Sequence, residues 1–163
     1  MTSIRPADDA DMAAVADLWH EGWHDGHAGH VPDGLTAART LTAFHERTPS
    51  RVTDTAVAVA EDGSLQGFVM VVDDEVEQVF VARSARGTGL ASDLLVDAER
   101  RVVAGGHASA WLAVVVGNAR ARRFYERQGW VDEGIFEHAA PAGDGGTIPT
   151  PCHRYVKGLS PAR

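Results

Sequence analysis

VEQVFVARSARGTGLASDLL, Val76 to Leu95, reads in three pieces. Val76, Gln78 and Phe80 alternate with Glu77, Val79 and Val81. That is the period of a strand, and its apolar end on both faces fits a central position in a sheet. Leu90, Leu94, Leu95, Ala98 and Val102 recur at helical spacing, and Gly105-Gly106 ends that helix. Arg86-Gly87-Thr88-Gly89-Leu90-Ala91 joins the two. The first amides of a helix have no intrahelical acceptor, and the helix dipole adds positive potential there. Glycines let the backbone approach a phosphate, and Arg86 with Arg83 adds charge at the rim, so the joint is built as a pyrophosphate cradle. A Gly-Xaa-Gly helix start is also plain turn chemistry, so the fragment takes its meaning from its surroundings. Two rival phosphate motifs fail. No Lys-Ser/Thr follows the glycines, and the acidic residue that a dinucleotide fingerprint places at the end of the next strand is missing. Glu99 stands at a similar distance but inside the helix, and the next strand ends in Val116-Gly117.

Upstream, a short strand at Ser3 to Arg5 is stopped by Pro6, and Asp8 or Asp9 can cap a helix. Met12, Val15, Leu18, Trp19 and Trp23 form its apolar stripe, weakened by Gly22, Gly26 and Gly29. After a turn at Val31 to Gly34, one helix is expected over about Leu35 to Arg47. Thr55 to Ala60 and Leu65 to Val72 read as a hairpin across Glu61-Asp62-Gly63-Ser64. Downstream, Trp111 to Val116 is a buried strand, and Asn118 is placed to cap a helix that Gly129 ends. Strands follow at Trp130 to Phe136 and about Cys152 to Val156, with Ala139 to Pro151 expected as a mobile surface loop. The order predicts one α/β (α+β) domain over residues 1–163, with helices around a mostly antiparallel sheet.

The 163 residues, 44% hydrophobic and 23% charged, suit a soluble globular chain with a real core. Fifteen Lys and Arg against 23 Asp and Glu leave a charge of −8, which disfavours a nucleic-acid partner. The acidic balance leans towards a cationic small molecule, although excess carboxylates also serve solubility alone. One cysteine, Cys152, excludes an internal disulfide and reads as a small buried residue. With no secretory signal and no run long enough to span a bilayer, a cytoplasmic protein without a membrane partner is expected.

Val76–Leu95 resembles the acetyl-CoA-binding core of the GNAT N-acetyltransferase superfamily. Its signature is Arg or Gln, two residues, Gly, one residue, then Gly or Ala, matched by Arg86, Gly89 and Ala91. Asn118, Ala121, Phe124, Tyr125, Gly129 and Trp130 fall where the family's next strand and helix expect them, and Trp23, Gly29, Val31 and Pro32 resemble its first inter-helix turn. The resemblance implies a sheet splayed between its fourth and fifth strands, with acetyl-CoA as cosubstrate. Val79 and Val81 would hydrogen-bond the pantetheine arm as an added strand would. Arg86, Gly87, Thr88, Gly89, Leu90 and Ala91 would hold the pyrophosphate, and Asn118 and Phe124 would border the pantetheine or acetyl end. The implied activity is acetyl transfer to a small-molecule primary amine by direct attack in a ternary complex. A protein N-terminus or lysine as acceptor, and a CoA-binding module without turnover, are the alternatives. Many relatives pair through late strands, which makes a homodimer an expectation.

Tyr125 is the family's usual general acid, protonating the thiolate that leaves. An acceptor amine must lose a proton before its lone pair attacks. Glu75 and Glu77 share one strand face, and Glu77 is preferred as base because it is nearer the splay. Trp23, His24 and His27 border the acceptor pocket by the resemblance, with His153 and Tyr155 on the last strand expected to face it too. His20, His24 and His27 share a helical face, but no further ligand completes a metal set, so no metal is expected.

Overall fold

A computed structural model describes residues 1–160. Strand β1 (Ser3–Pro6) leads through a short 3-10 turn to helix α1 (Met12–His27). Asp8 caps that turn, accepting from Ala10 N at 2.9 Å while Asp11 accepts from Asp8 N at 2.9 Å. Helix α1 runs unbroken through Gly22 and Gly26, because the face they share is anchored by buried Val15, Trp19 and Trp23 and because Gly22 makes room for the Phe80 ring. The single helix expected over Leu35 to Arg47 is two, α2 (Asp33–Ala38) and α3 (Leu41–Arg47). Arg39 leaves helical geometry (ψ 57°), and Thr40 caps α3 by accepting from Ala43 N at 3.1 Å.

Strands β2 (Thr55–Val59), β3 (Leu65–Val72) and β4 (Glu75–Val81) form an antiparallel meander. The cradle loop then opens α4 (Leu90–Ala104), followed by β5 (Ser109–Val115), α5 (Ala119–Arg127), β6 (Val131–Pro141) and β7 (Thr147–Gly158). The segment expected as a surface loop at Ala139 to Pro151 is largely a hairpin, with pairing continuing to Pro141↔Thr147. Pro149 and Pro151 lie beyond the last β5–β7 pair, Val115↔Cys152. There β7 has a ladder neighbour on one side only, and a missing amide is tolerated.

The sheet order is β1-β2-β3-β4-β5-β7-β6. All pairs are antiparallel except β4–β5, which run parallel and share a single register pair, Glu75↔Trp111. Trp111 N also donates to the Asp74 carbonyl at 3.0 Å. Beyond that point the two strands diverge, which is the splay between the fourth and fifth strands. Strand alternation divides the core between two faces. Val69, Leu94, Leu95, Ala98 and Val102 pack on the α4 side, and Trp19, Phe44, Val57, Phe68 and Met70 on the α1 side. Each fully buried apolar side chain contributes about 1.5–3 kcal/mol, so both faces hold the splayed strands firmly. Among the described residues no helix is long and apolar enough to cross a membrane.

Candidate active site

The cradle is set by backbone geometry. Gly87 and Gly89 have φ of 78° and 85°, in the left-handed region that side chains disfavour, and a Cβ at either would meet only open space. No side chain caps α4, and the amides of Gly87 to Ser92 find no acceptor among the described residues. Free donors at a helix start are what a pyrophosphate requires, so these residues fit the group the sequence implies. Thr88 is turned inwards, donating its hydroxyl to the Ala85 carbonyl. Arg86 Nη2 donates to Asp25 at 2.8 Å and Arg83 donates to the same carboxylate at 2.8 and 3.2 Å. These hydrogen bonds hold the Asp25 carboxyl down at about 2.

A channel of about 780 Å³ runs from the cradle along β4 to the start of α5. Ala82 N donates to the Gln66 carbonyl at 2.8 Å, and Phe80 pairs Phe68. By antiparallel alternation the peptide groups of Val79 and Val81 then turn away from β3, into the splay. Phe124 lines this channel, as does Gly117, whose lack of a side chain leaves room for the His30 ring. Asn118 caps α5, its Oδ1 accepting from Ala121 N at 3.2 Å while its amide nitrogen faces Gly26 across the channel.

A second cavity of about 330 Å³ lies under α1, α2 and the β6–β7 hairpin. The two cavities share Val79, Phe80, Asn118, Ala121 and Tyr125, so they join at the mouth of the splay. The Tyr125 hydroxyl has no hydrogen-bond partner among the described residues, and burial pushes its pKa well above the ordinary phenol value. It is therefore protonated throughout the neutral range.

Trp23 and His27 line the second cavity with rings stacked at 4.5 Å and 3°. His27 Nδ1 donates to the Trp23 carbonyl at 2.8 Å, and burial lowers the imidazole to about 4, so it is neutral. His24 lines neither cavity; its Nε2 donates to the Arg39 carbonyl at 2.6 Å. The expected placement of His153 and Tyr155 is reversed. On β7, Thr150 and Cys152 face the cavity, and alternation puts His153 and Tyr155 on the other face. There His153 sits 2.9 Å from Asp132 and the Tyr155 hydroxyl donates to Glu126 at 2.9 Å. The His20 and His24 rings lie 4.6 Å apart, and no three metal-ligating side chains converge among the described residues.

The two β4 carboxylates differ in a way their spacing does not reveal. Glu77 is paired with Arg51 and lies 3.7 Å from Arg47. Glu75 has no cation within ion-pair distance among the described residues. Burial, then the Glu77 charge, pushes it up to about 7. Sequence reasoning missed Arg39, Arg47, Arg51 and His138, all of which line the second cavity. Arginines spread over a helix break and a 3-10 turn give no periodic signal.

The chain matches the acetyltransferase (GNAT) family over residues 13–130. It belongs to that family. Among solved structures it is similar to a GCN5-related N-acetyltransferase from Kribbella flavida, at 22% identity, TM-score 0.72 and coverage of 97% of this chain and 98% of that one. A PaiA N-acetyltransferase from Thermoplasma acidophilum in complex with coenzyme A is 17% identical, with TM-score 0.72 and coverage of 98% and 99%. A phosphinothricin acetyltransferase from Sinorhizobium meliloti in complex with AcCoA is 16% identical, with TM-score 0.70 and coverage of 97% and 88%. No curated protein sequence matches the chain significantly.

Proposed function

We propose that the chain acetylates the primary amine of a small molecule by direct attack with both substrates bound, Tyr125 acting as general acid and Glu75, in place of Glu77, as general base. The observation that carries this reading is the meeting of the two cavities at Tyr125, with Glu75 on the wall of the smaller one. Bound acetyl-CoA supplies a thioester carbonyl and a thiolate that leaves. Holding the amine and the thioester in adjoining cavities lowers the barrier by proximity. Glu75, near 7, is substantially ionised at neutral pH and still basic enough to take the amine proton, directly or through water. The protonated Tyr125 hydroxyl gives its proton to the departing sulfur. Glu77 serves to hold Arg51 and Arg47 in the cavity wall.

A cavity of about 330 Å³ supports a small acceptor over a polypeptide. The free Tyr125 hydroxyl supports turnover over a silent CoA-binding module. The single thiol, Cys152, fits a cytoplasmic setting. A homodimer along the outer strand β6, where Val131 and Ile135 are exposed, completes the reading and is tested by light scattering. The activity test is release of CoA thiol from acetyl-CoA against an amine panel, with Tyr125→Phe and Glu75→Gln beside the unaltered protein. Tight CoA binding with no transfer to any amine would leave the binding module as the better account.

A further inference from the structure

Arg39 is 8% exposed, lines the acceptor cavity, and has no acidic partner among the described residues. Every other arginine on that wall has one. Arg51 pairs with Glu77, and Arg47 lies 3.7 Å from the same carboxylate. The charges bearing on Arg39 are repulsive or absent: burial, then the Arg47 charge, lowers it to about 10, and no carboxylate among the described residues offsets either. It still carries its full charge at neutral pH. An unpaired buried guanidinium is costly, and folds retain one where a ligand completes it.

The side chain is also held in place. Its backbone carbonyl accepts from His24, its own amide donates to the Thr36 carbonyl at 3.2 Å, and the next residue, Thr40, is fixed as the cap of α3. The guanidinium lies 5.6 Å from the centre of the Trp23 ring, which also stacks on the neutral His27 and meets the His24 ring edge-on at 5.1 Å. This leaves a planar fork of donors with a stacking wall and no acceptor among the described residues. Its geometry matches two oxygens of one anionic group.

We propose that the acceptor carries a carboxylate as well as its amine, and that Arg39 binds that carboxylate while the amine reaches the mouth of the splay. The inference rests on the acetyl-transfer reading and names its substrate class, an amino acid. It replaces the cationic acceptor to which the whole-chain charge leans. The chain is acidic overall, but the cavity sets three arginines against Glu77 and a Glu75 that is only partly ionised near pH 7. His24 is a positioning residue in this arrangement, because it touches the Arg39 backbone and not the cavity.

The test uses L-amino acids, β-alanine and 4-aminobutyrate, each against its own primary amide, with the unaltered protein, Arg39→Gln and Arg39→Lys. The unaltered protein is expected to favour at least one acid over its amide by roughly 10-fold or more in kcat/KM. Arg39→Gln should erase most of that preference through KM for the acid, and Arg39→Lys, which keeps the charge without the fork, should retain part of it. Comparing the change between variants cancels the different basicities of acids and amides. An unaltered protein that prefers the amides, or an Arg39→Gln that weakens acid and amide equally, overturns the proposal and leaves acetyl transfer standing. Calorimetric titration of the same acids and amides into the CoA-saturated protein is the second readout. Acid-selective binding lost in Arg39→Gln without any turnover would uphold the carboxylate site and overturn the catalytic reading. Absence of selectivity in both assays overturns the site.

Discussion

Arg86 Nη2 donates to Asp25 Oδ2 at 2.8 Å, tying the first helix to the loop proposed to receive the pyrophosphate. The rim arginines therefore have a carboxylate partner within the protein, one that a diphosphate competes with. Asp25→Asn is expected to tighten CoA binding, because Arg83 and Arg86 are released to face the phosphates. Titration calorimetry measures this, and unchanged or weaker binding would contradict it.

The same substitution affects stability with a defined pH dependence. The Asp25 carboxyl is held down to about 2 from an ordinary 3.8. A carboxyl depressed in the folded state stabilises above its unfolded pKa, and the stabilisation is lost as pH falls through the folded value. After solvent screening of this partly exposed cluster, about 1 kcal/mol is expected at pH 7. In urea unfolding, Asp25→Asn should be weaker by that amount at neutral pH, and the gap should shrink from about pH 4 towards pH 2.

Glu75 has the opposite sign. Its folded value is raised from 4.5 to about 7. Its protonated form therefore favours the fold below about pH 4.5, and that contribution is lost as pH rises through about 7. Glu75→Gln should unfold at higher temperature than the unaltered protein at pH 8 and match it near pH 4. If Glu75 is the base, kcat should rise with an ionisation near 7 that vanishes in Glu75→Gln. A pH profile unaltered by the substitution would return the role to Glu77.

Tyr125→Phe keeps the ring packing on Phe124 and Trp130 and removes only the hydroxyl. Loss of a general acid lowers kcat by roughly 100-fold or more. CoA affinity and melting temperature should stay close to those of the unaltered protein. A kcat reduced less than about 10-fold would show that water or another donor protonates the sulfur.

Gly89→Ala places a Cβ on a residue with φ 85°. The strain is about 1–2 kcal/mol. Because the residue is the N-cap of α4, relief of that strain would re-aim the free amides. CoA binding should weaken more than thermal stability falls, as read by calorimetry beside a melting curve.

The cradle and its neighbours were legible because two periodicities meet there. Val79 and Val81 must be strand and Leu94 and Leu95 must be helix, so the glycines between them can only be a helix start. Other features had no such signal. Leu35 to Arg47 has helical composition throughout, and the break at Arg39 is set by the Thr40 cap, which competes silently with helix propagation. Ala139 to Pro151 is rich in Gly and Pro, and its pairing depends on β5 ending at Val115, a fact of the fold. His153 and Cys152 differ only in strand parity, so one residue of register decides which of them sees the cavity. Arg39 acquires its meaning from what is missing around it, and a linear chain does not display missing partners.

The outward peptide groups of Val79 and Val81 have a further consequence. A strand with unsatisfied edges is a template for joining foreign chains, and most proteins hide or blunt such edges at their periphery. Here the unsaturated edge lies in the middle of the sheet, inside a wedge that narrows to the Glu75–Trp111 pair. The α1 end closes it from one side, where Gly26 meets Asn118 and His30 meets Gly117. A slender unbranched arm can enter such a slot, and a pleated polypeptide with alternating side chains cannot. A slot shaped to take the proposed cosubstrate would also keep that interior edge from recruiting a foreign strand.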